Sequence, residues 1–280
     1  MRRSPSTAAV GWRALVYALA IAWVLMTIYP LLFLVQNSLK TSTQFFMGDV
    51  WSLPTPFSFE TYIRVWQNAF PRFLLNSFFV VGVSLVVLML TGSAAAFGLS
   101  RIRFRLRGVL YYLFVGGLTI PVHITLIPVY IVTRQIHLYD TLWSLIGPFV
   151  AFNLPVAVFI LATFMAEIPV SLEEAGYIDG ANRWQVFRSV ILPMSRPAMT
   201  AVGIYNAVIL WNEFIFPLVL INSTEKRPLT LALWNFQGEF SADVPAMMAA
   251  LLLSMIPLLI LYAVTKERLI EGLVSGAVKG

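Results

Sequence analysis

Few residues in this 280-residue chain could carry chemistry, and most of those lie in two places. Asn212 and Glu213 sit side by side inside an otherwise charge-free stretch, where a carboxylate costs about 2.5–3.5 kcal/mol by insertion scales. Such a group faces protein or a water-filled path. It either lines a route for a polar solute or makes a structural hydrogen bond to a neighbouring helix. His123 is the other ionisable residue well inside an apolar stretch, and it reads as a core histidine beside Pro121. With two histidines, no cysteine and no HExxH pairing, no metal-binding or catalytic cluster is evident. The chain also lacks G-x-x-x-x-G-K-[ST], so it has no phosphate-cradling loop of its own.

The second place is residues 167–196, EIPVSLEEAGYIDGANRWQVFRSVILPMSR. Ser171 and Glu174 have capping-box spacing, with Val170 and Ala175 as a weak staple, so a short helix is expected to start at Ser171. Asp179-Gly180 ends it, because glycine tolerates the left-handed conformation. Asn182 then caps a second helix with Gln185 at its third position. Trp184, Phe187 and Ile191 give that helix one apolar face, and Pro193 ends it. Pro197 suits the first turn of the next span. The small residues Ala175, Gly176, Gly180 and Ala181 admit close approach of another protein. A helix lying on the membrane surface remains an alternative, although such helices favour bulk.

The elements that position these residues can be read from composition. Hydrophobic residues make up 59% and charged residues 11%, against about 45–50% and about 25% in soluble domains. This excludes an ordinary soluble enzyme, a disordered chain and a disulfide scaffold. Apolar stretches long enough to cross a bilayer as helices predict an all-α polytopic membrane protein with six spans, near 14–36, 73–99, 109–132, 141–166, 197–222 and 244–265. Pro121 and Pro128 interrupt the third span and Pro257 the sixth. The first apolar run is too long for a cleaved signal and is expected to be retained. Of the 19 Lys and Arg, 13 fall inside if both termini are cytoplasmic, which predicts N-in, C-in. Arg101, Arg103, Arg105 and Arg107 form the clearest anchor. That loop offers too little surface for nucleic acid, so no nucleic-acid partner is expected. Residues 40–72 form the longest outer segment, where Phe59, Tyr62 and Trp66 share one face of a short helix, read as an interfacial aromatic belt. Trp234, Phe236 and Phe240 decorate a second outer loop.

The 167–196 loop closely resembles the EAA motif of inner-membrane permease subunits of bacterial ABC importers. The matching residues are Glu174-Ala175-Gly176, Asp179-Gly180-Ala181, Phe187 and Val190-Ile191-Leu192-Pro193. Similarity extends to Pro121 with Ile127-Pro128-Val129-Tyr130, to Leu138–Thr141, to Trp211-Asn212-Glu213-Phe214 and to the tail ending Gly276–Gly280. These look like the second permease of maltose-type carbohydrate importers. One departure is Gly176 in place of the second alanine, which costs about 0.8–1.0 kcal/mol inside a helix.

The resemblance implies a type I importer permease, a single domain over residues 1–280, moving a sugar or oligosaccharide by alternating access. It implies a cytoplasmic ATPase dimer that holds ATP and magnesium, so this chain is not itself an enzyme and binds no cofactor. It further implies a second homologous permease chain and an extracytoplasmic sugar-binding protein. Glu174 would contact the ATPase, Gly180 would make the turn, and Ala175, Gly176 and Ala181 would lie near the groove wall, within a coupling set that includes Asp179, Phe187, Leu192 and Pro193. A permease for another solute, or an ion-coupled secondary transporter relying on Glu213 and His123, are the alternatives.

Overall fold

The computed structural model describes residues 7–233 and 243–277, so Trp234, Phe236 and Phe240 lie outside the described residues. Among the described residues the chain is helical and has no β-strand. In order, the α-helices are α1 (Thr7–Ser38), α2 (Ser42–Met47), α3 (Glu60–Gln67), α4 (Phe70–Arg101), α5 (Arg107–Gly117), α6 (Leu126–Gln135) and α7 (Trp143–Glu167). They continue as α8 (Val170–Ile178), α9 (Arg183–Val186), α10 (Leu192–Met194), α11 (Arg196–Trp211), α12 (Ile215–Leu220), α13 (Leu229–Ala232) and α14 (Val244–Ala277).

Among the described residues four helical segments are long and apolar enough to cross a membrane: Leu15–Ser38, Phe70–Arg101, Trp143–Glu167 and Val244–Lys266. The expected third and fifth spans differ from unbroken helices. The third is α5 followed by a tight turn at Val122–Thr125 and α6, bent by 98°. Its cause is local, since Pro121 has no N–H to continue α5. Pro128 sits in the first turn of α6, where a missing N–H costs nothing. The fifth is α11, which at 16 residues falls short of the roughly 20 needed to cross, then a break at 212–214, then α12.

The helices form two compact units, one from residues 7–68 with 243–254, the other from 69–233 with 255–277. In the first, the apolar span of α1 has no buried residue over its most apolar stretch, as suits a lipid-facing helix. The chain after it is pinned by Lys40, whose side chain is fully buried and whose Nζ donates to the carbonyls of Asp49 (3.1 Å) and Val50 (2.9 Å). Burial lowers the Lys40 pKa, partly opposed by the nearby Asp49 carboxylate. Thr41 and Gln44 form a capping box on α2. Asp243 pairs with Arg64 at 2.7 Å and caps the start of α14 through the Ala246 amide. On α3 the buried residues are Thr61 and Val65; Phe59 and Trp66 are exposed, but Tyr62 is half-buried with its hydroxyl 2.6 Å from Ser38 Oγ, so the aromatic stripe faces outward only in part.

The second unit is built on α4 against α7. Ser84, Leu88, Gly92 and Ala96 recur every fourth residue on α4 and are all buried, as are Ala157, Leu161 and Met165 on α7. These are the ridges that interlock two helices, and small residues let the backbones approach. A Cβ at Gly92 would lie 3.5 Å from the Ala157 Cβ, in ordinary contact. The core continues through Val186, Phe187, Ile191, Ala198 and Val202, so the loop sought in the sequence is part of it.

Candidate functional site

Residues 167–196 fold as a helical hairpin. Its first arm, α8, is capped two residues earlier than expected. Pro169 is the cap, its carbonyl accepting from the Leu172 amide (3.2 Å), and no side chain caps the end. Ser171 therefore lies inside the helix, and the expected Ser171–Glu174 capping box is absent because the chain turns helical before Ser171 can act as its boundary. The turn matches expectation. Asp179 is the C-cap and Gly180 has φ of +82°. The Gly180 amide donates to Tyr177 O (3.1 Å) and the Ala181 amide to Gly176 O (3.0 Å), the pair of bonds of a Schellman motif. The second arm, α9, opens on a full capping box: Gln185 N to Asn182 Oδ1 is 3.0 Å and Asn182 N to Gln185 Oε1 is 2.7 Å.

Beyond α9, Phe187–Ile191 form a π-helical turn, in which the Leu192 amide reaches back to Phe187 O. Pro193 explains it. In a regular α-helix its ring would meet the carbonyl of Ser189, and a wider turn relieves that clash. Pro193 therefore stands within the continuing helix at the start of α10 instead of ending it. The wider turn also rotates Ile191 away from Trp184 and towards Val186. The buried face is Val186, Phe187 and Ile191, with the Phe187 ring 4.8 Å from that of Phe97, while Trp184 remains largely exposed. Trp184, Phe187 and Ile191 thus do not share one buried face.

The two arms touch at Gly176. A Cβ there would lie 3.3 Å from Val186 Cγ2, tighter than most real contacts. The glycine that departs from the EAA pattern faces its own hairpin partner. Ala181 is half-buried, Phe187 is buried, and Leu192 and Pro193 are half-buried. Glu174, Ala175, Asp179 and Gly180 are exposed, and Ile178 beside them is 86% exposed. The candidate residues therefore divide into an outward set on α8 and its turn, and an inward set that anchors the hairpin.

Sequence reasoning missed the anchor itself. Arg101, at the end of α4, pairs with Glu173 of α8 at 3.0 Å, and both side chains are more than nine-tenths buried. The other guanidinium nitrogen donates to the carbonyls of Met165 and Ile168 at the end of α7. The signal was in the sequence: Arg101 leads the basic run and Glu173 sits next to Glu174, but nothing local says which carboxylate is paired.

Asn212 and Glu213 lie apart from the hairpin, beyond the far end of α11, about 24 Å along a helix of that length. Glu213 Oε1 accepts from the amides of Ile215 (2.9 Å) and Phe216 (3.3 Å), which starts α12, and its carbonyl accepts from Thr230 Oγ1 at 2.8 Å. Asn212 is exposed and its Nδ2 donates to Val208 O at 2.8 Å. His123 lies in the tight turn before α6 and is exposed, not in the core, because the bend at Pro121 carries it outward. Among the described residues no group of three or more His, Cys, Asp or Glu is placed to hold a metal.

A second polar cluster centres on Asp140, itself in a left-handed conformation (φ 56°). Its carboxylate accepts from the amides of Asn222 (2.9 Å) and Ser223 (2.8 Å), from the Ser223 hydroxyl, and from Lys226 Nζ at 3.2 Å. Burial pushes its pKa up, but the hydrogen bonds of Ser223, Asn222 and Lys226 outweigh this and hold it at about 2. Nearby, Asn76 Nδ2 donates to the carbonyls of Glu225 and Arg227, and Ser77 Oγ accepts from the Leu229 amide at 2.8 Å. The 222–229 segment is thereby tied to the start of α4.

Long apolar helices, and a hairpin with one face exposed and the other packed into the α4–α7 core, define a multi-pass membrane protein with one specialised loop. Comparison with known proteins says which kind. Residues 88–272 match the family described as the binding-protein-dependent transport system inner membrane component, and the chain belongs to it. It is the inner-membrane permease component of an ABC transporter. A protein of Caldicellulosiruptor sp. (strain Rt8B.4) described as an ABC transporter permease is 44% identical, over 92% of this chain and 94% of its own. The diacetylchitobiose uptake system permease protein NgcG of Streptomyces coelicolor is 35% identical, over 98% and 91%. The fold resembles a bacterial ABC transporter involved in the import of the acidic polysaccharide alginate, with a TM-score of 0.83 at 23% identity, covering 94% of this chain and 98% of that one.

Proposed function

We propose that this chain is a single-domain permease subunit of an ATP-driven importer that moves a sugar or oligosaccharide, and that the α8–α9 hairpin couples it to a separate ATPase. The observation that carries the coupling role is the division of the hairpin. Its outward set, Glu174, Ala175, Asp179 and Gly180 with Ile178, is free to meet a partner, while Val186, Phe187 and Ile191 belong to the core of the spans. A push on one face is therefore delivered to packed helices. Relatives named for diacetylchitobiose and trehalose uptake support the sugar class. The charge asymmetry of the sequence supports six crossings, with α5–α6 and α11–α12 as broken ones, and both termini and the hairpin in the cytoplasm.

In this reading an ATPase dimer holds ATP and magnesium, a second related permease chain completes the path, and an extracytoplasmic binding protein delivers the sugar. Asn212 and Glu213 stand at the break in α11–α12. Asn212 is the exposed member and offers an amide to sugar hydroxyls, while Glu213 holds the break in shape. The test is uptake by the reconstituted complex, loaded with ATP, from a panel of labelled oligosaccharides presented with its binding protein. ATP-dependent accumulation of a sugar is expected. Accumulation driven by an ion gradient without ATP contradicts the reading.

A further inference from the structure

We infer that Arg101 and Glu173 are a positioning pair for the transport cycle, the tie through which α8 moves together with α4 and α7. The inference rests on the coupling role proposed above and adds residues to it outside the outward set. One guanidinium joins three elements. It sits at the C-terminus of α4, meets the α8 carboxylate at 3.0 Å, and donates to the Met165 and Ile168 carbonyls at the end of α7. The Met165 carbonyl accepts from the Ile168 amide as well, the Ile168 carbonyl lies at the cap, and both stand at the negative end of the helix dipole, so a cation is favoured there. The planar fork of arginine can hold these acceptors at once, which the point charge of a lysine cannot.

Burial decides what the pair does. An exposed ion pair yields readily, because water replaces either partner. Here both side chains are sequestered, and separating them leaves a charge without water or partner. The two arms of the hairpin are fastened differently. The second arm packs by hydrophobic contact through Val186, Phe187 and Ile191. The first arm has Glu173 as its one buried residue and touches the second at Gly176. Without the tie, α8 could shift on its exposed side while α4 and α7 stay still. Glu173 thus differs in kind from its neighbour Glu174, which faces outward.

The test compares Glu173→Gln and Arg101→Lys with the unmodified chain in the reconstituted complex, measuring sugar uptake and ATP hydrolysis together. The expected result is an assembled complex that still hydrolyses ATP but delivers at least fivefold less sugar per ATP with Glu173→Gln, and an intermediate loss with Arg101→Lys. A merely structural role would lower assembly and leave sugar per ATP unchanged in what assembles, and that outcome overturns the inference. A second measurement needs no partner. The chain has no cysteine, so spin labels can be placed at Ala94→Cys on α4 and Ile178→Cys on α8 in the full-length protein. Glu173→Gln is expected to broaden the distance distribution, and an unchanged distribution overturns the tie. If the unmodified complex shows no ATP-driven uptake, the coupling reading has failed, and the label distances still decide whether the tie exists.

Discussion

Glu173 and Glu174 are neighbours of identical chemistry in opposite surroundings, and their substitution should separate stability from coupling. Glu173→Ala leaves Arg101 buried without its partner, and about 3–5 kcal/mol of stability is expected to be lost. Glu174→Ala should change stability by no more than about 0.5 kcal/mol, as for other surface sites, while weakening recovery of the ATPase with the tagged chain. Denaturation in detergent and co-purification check the two halves, and an equal loss of stability at both positions would contradict the assignment. Gly176 carries a similar argument. Alanine gains about 0.8–1.0 kcal/mol of helix propensity but meets Val186 at 3.3 Å, so Gly176→Ala is expected to be nearly neutral. Gly176→Val adds further bulk at the same contact and should cost about 1–3 kcal/mol, read as a fall in Tm. The turn at Gly180 was legible in the sequence, whereas an outward Glu174 was implied only by the resemblance and not by the capping box its spacing suggested. The roles of Arg101 and Glu173 were not, because they arise from contact between residues 72 positions apart. Glu213 read as costly inside a span. Its resolution is a local one, two amides of α12, which appears only once the break at 212–214 is known.

At the scale of elements, the hairpin depends on a turn that only glycine makes without strain. Gly180→Val places a branched residue at φ +82°, a cost of about 1–2 kcal/mol. ATP-driven uptake is expected to fall sharply with the chain still inserted in the membrane, as shown by uptake and membrane fractionation side by side. The opposite end of α4 has its own fastening. Asp140 has a folded pKa of about 2, below the ordinary 3.8, so it contributes stability above pH 3.8 that is lost as pH falls through about 2. The contribution is on the order of 2 kcal/mol. Asp140→Asn accepts the left-handed conformation but not the charge-assisted bonds, and should flatten that acid dependence when unfolding is followed between pH 5 and pH 2. Charge-free runs located the four long apolar helices found among the described residues, and Pro121 signalled the bend between α5 and α6. The break after Trp211 and the π turn before Pro193 were hidden. Hydropathy does not register where backbone bonding stops, and a regular helical wheel puts Trp184 on the wrong face.

At the scale of the molecule, the composition that excluded a soluble enzyme and the loop that resembled an EAA motif lead to one account, a membrane permease that borrows its energy through a hairpin. Its central claim is that the outward face of α8 meets an ATPase. The most direct measurement uses the absence of cysteine. A photoactivatable thiol cross-linker is attached at Ile178→Cys, and in a parallel chain at Asn212→Cys, in the native complex, and the linked peptides are identified by mass spectrometry. The account predicts peptides of an ATP-binding subunit linked to position 178 and not to position 212. Absence of such peptides at 178 in a complex that transports, or equal labelling from both positions, would contradict it.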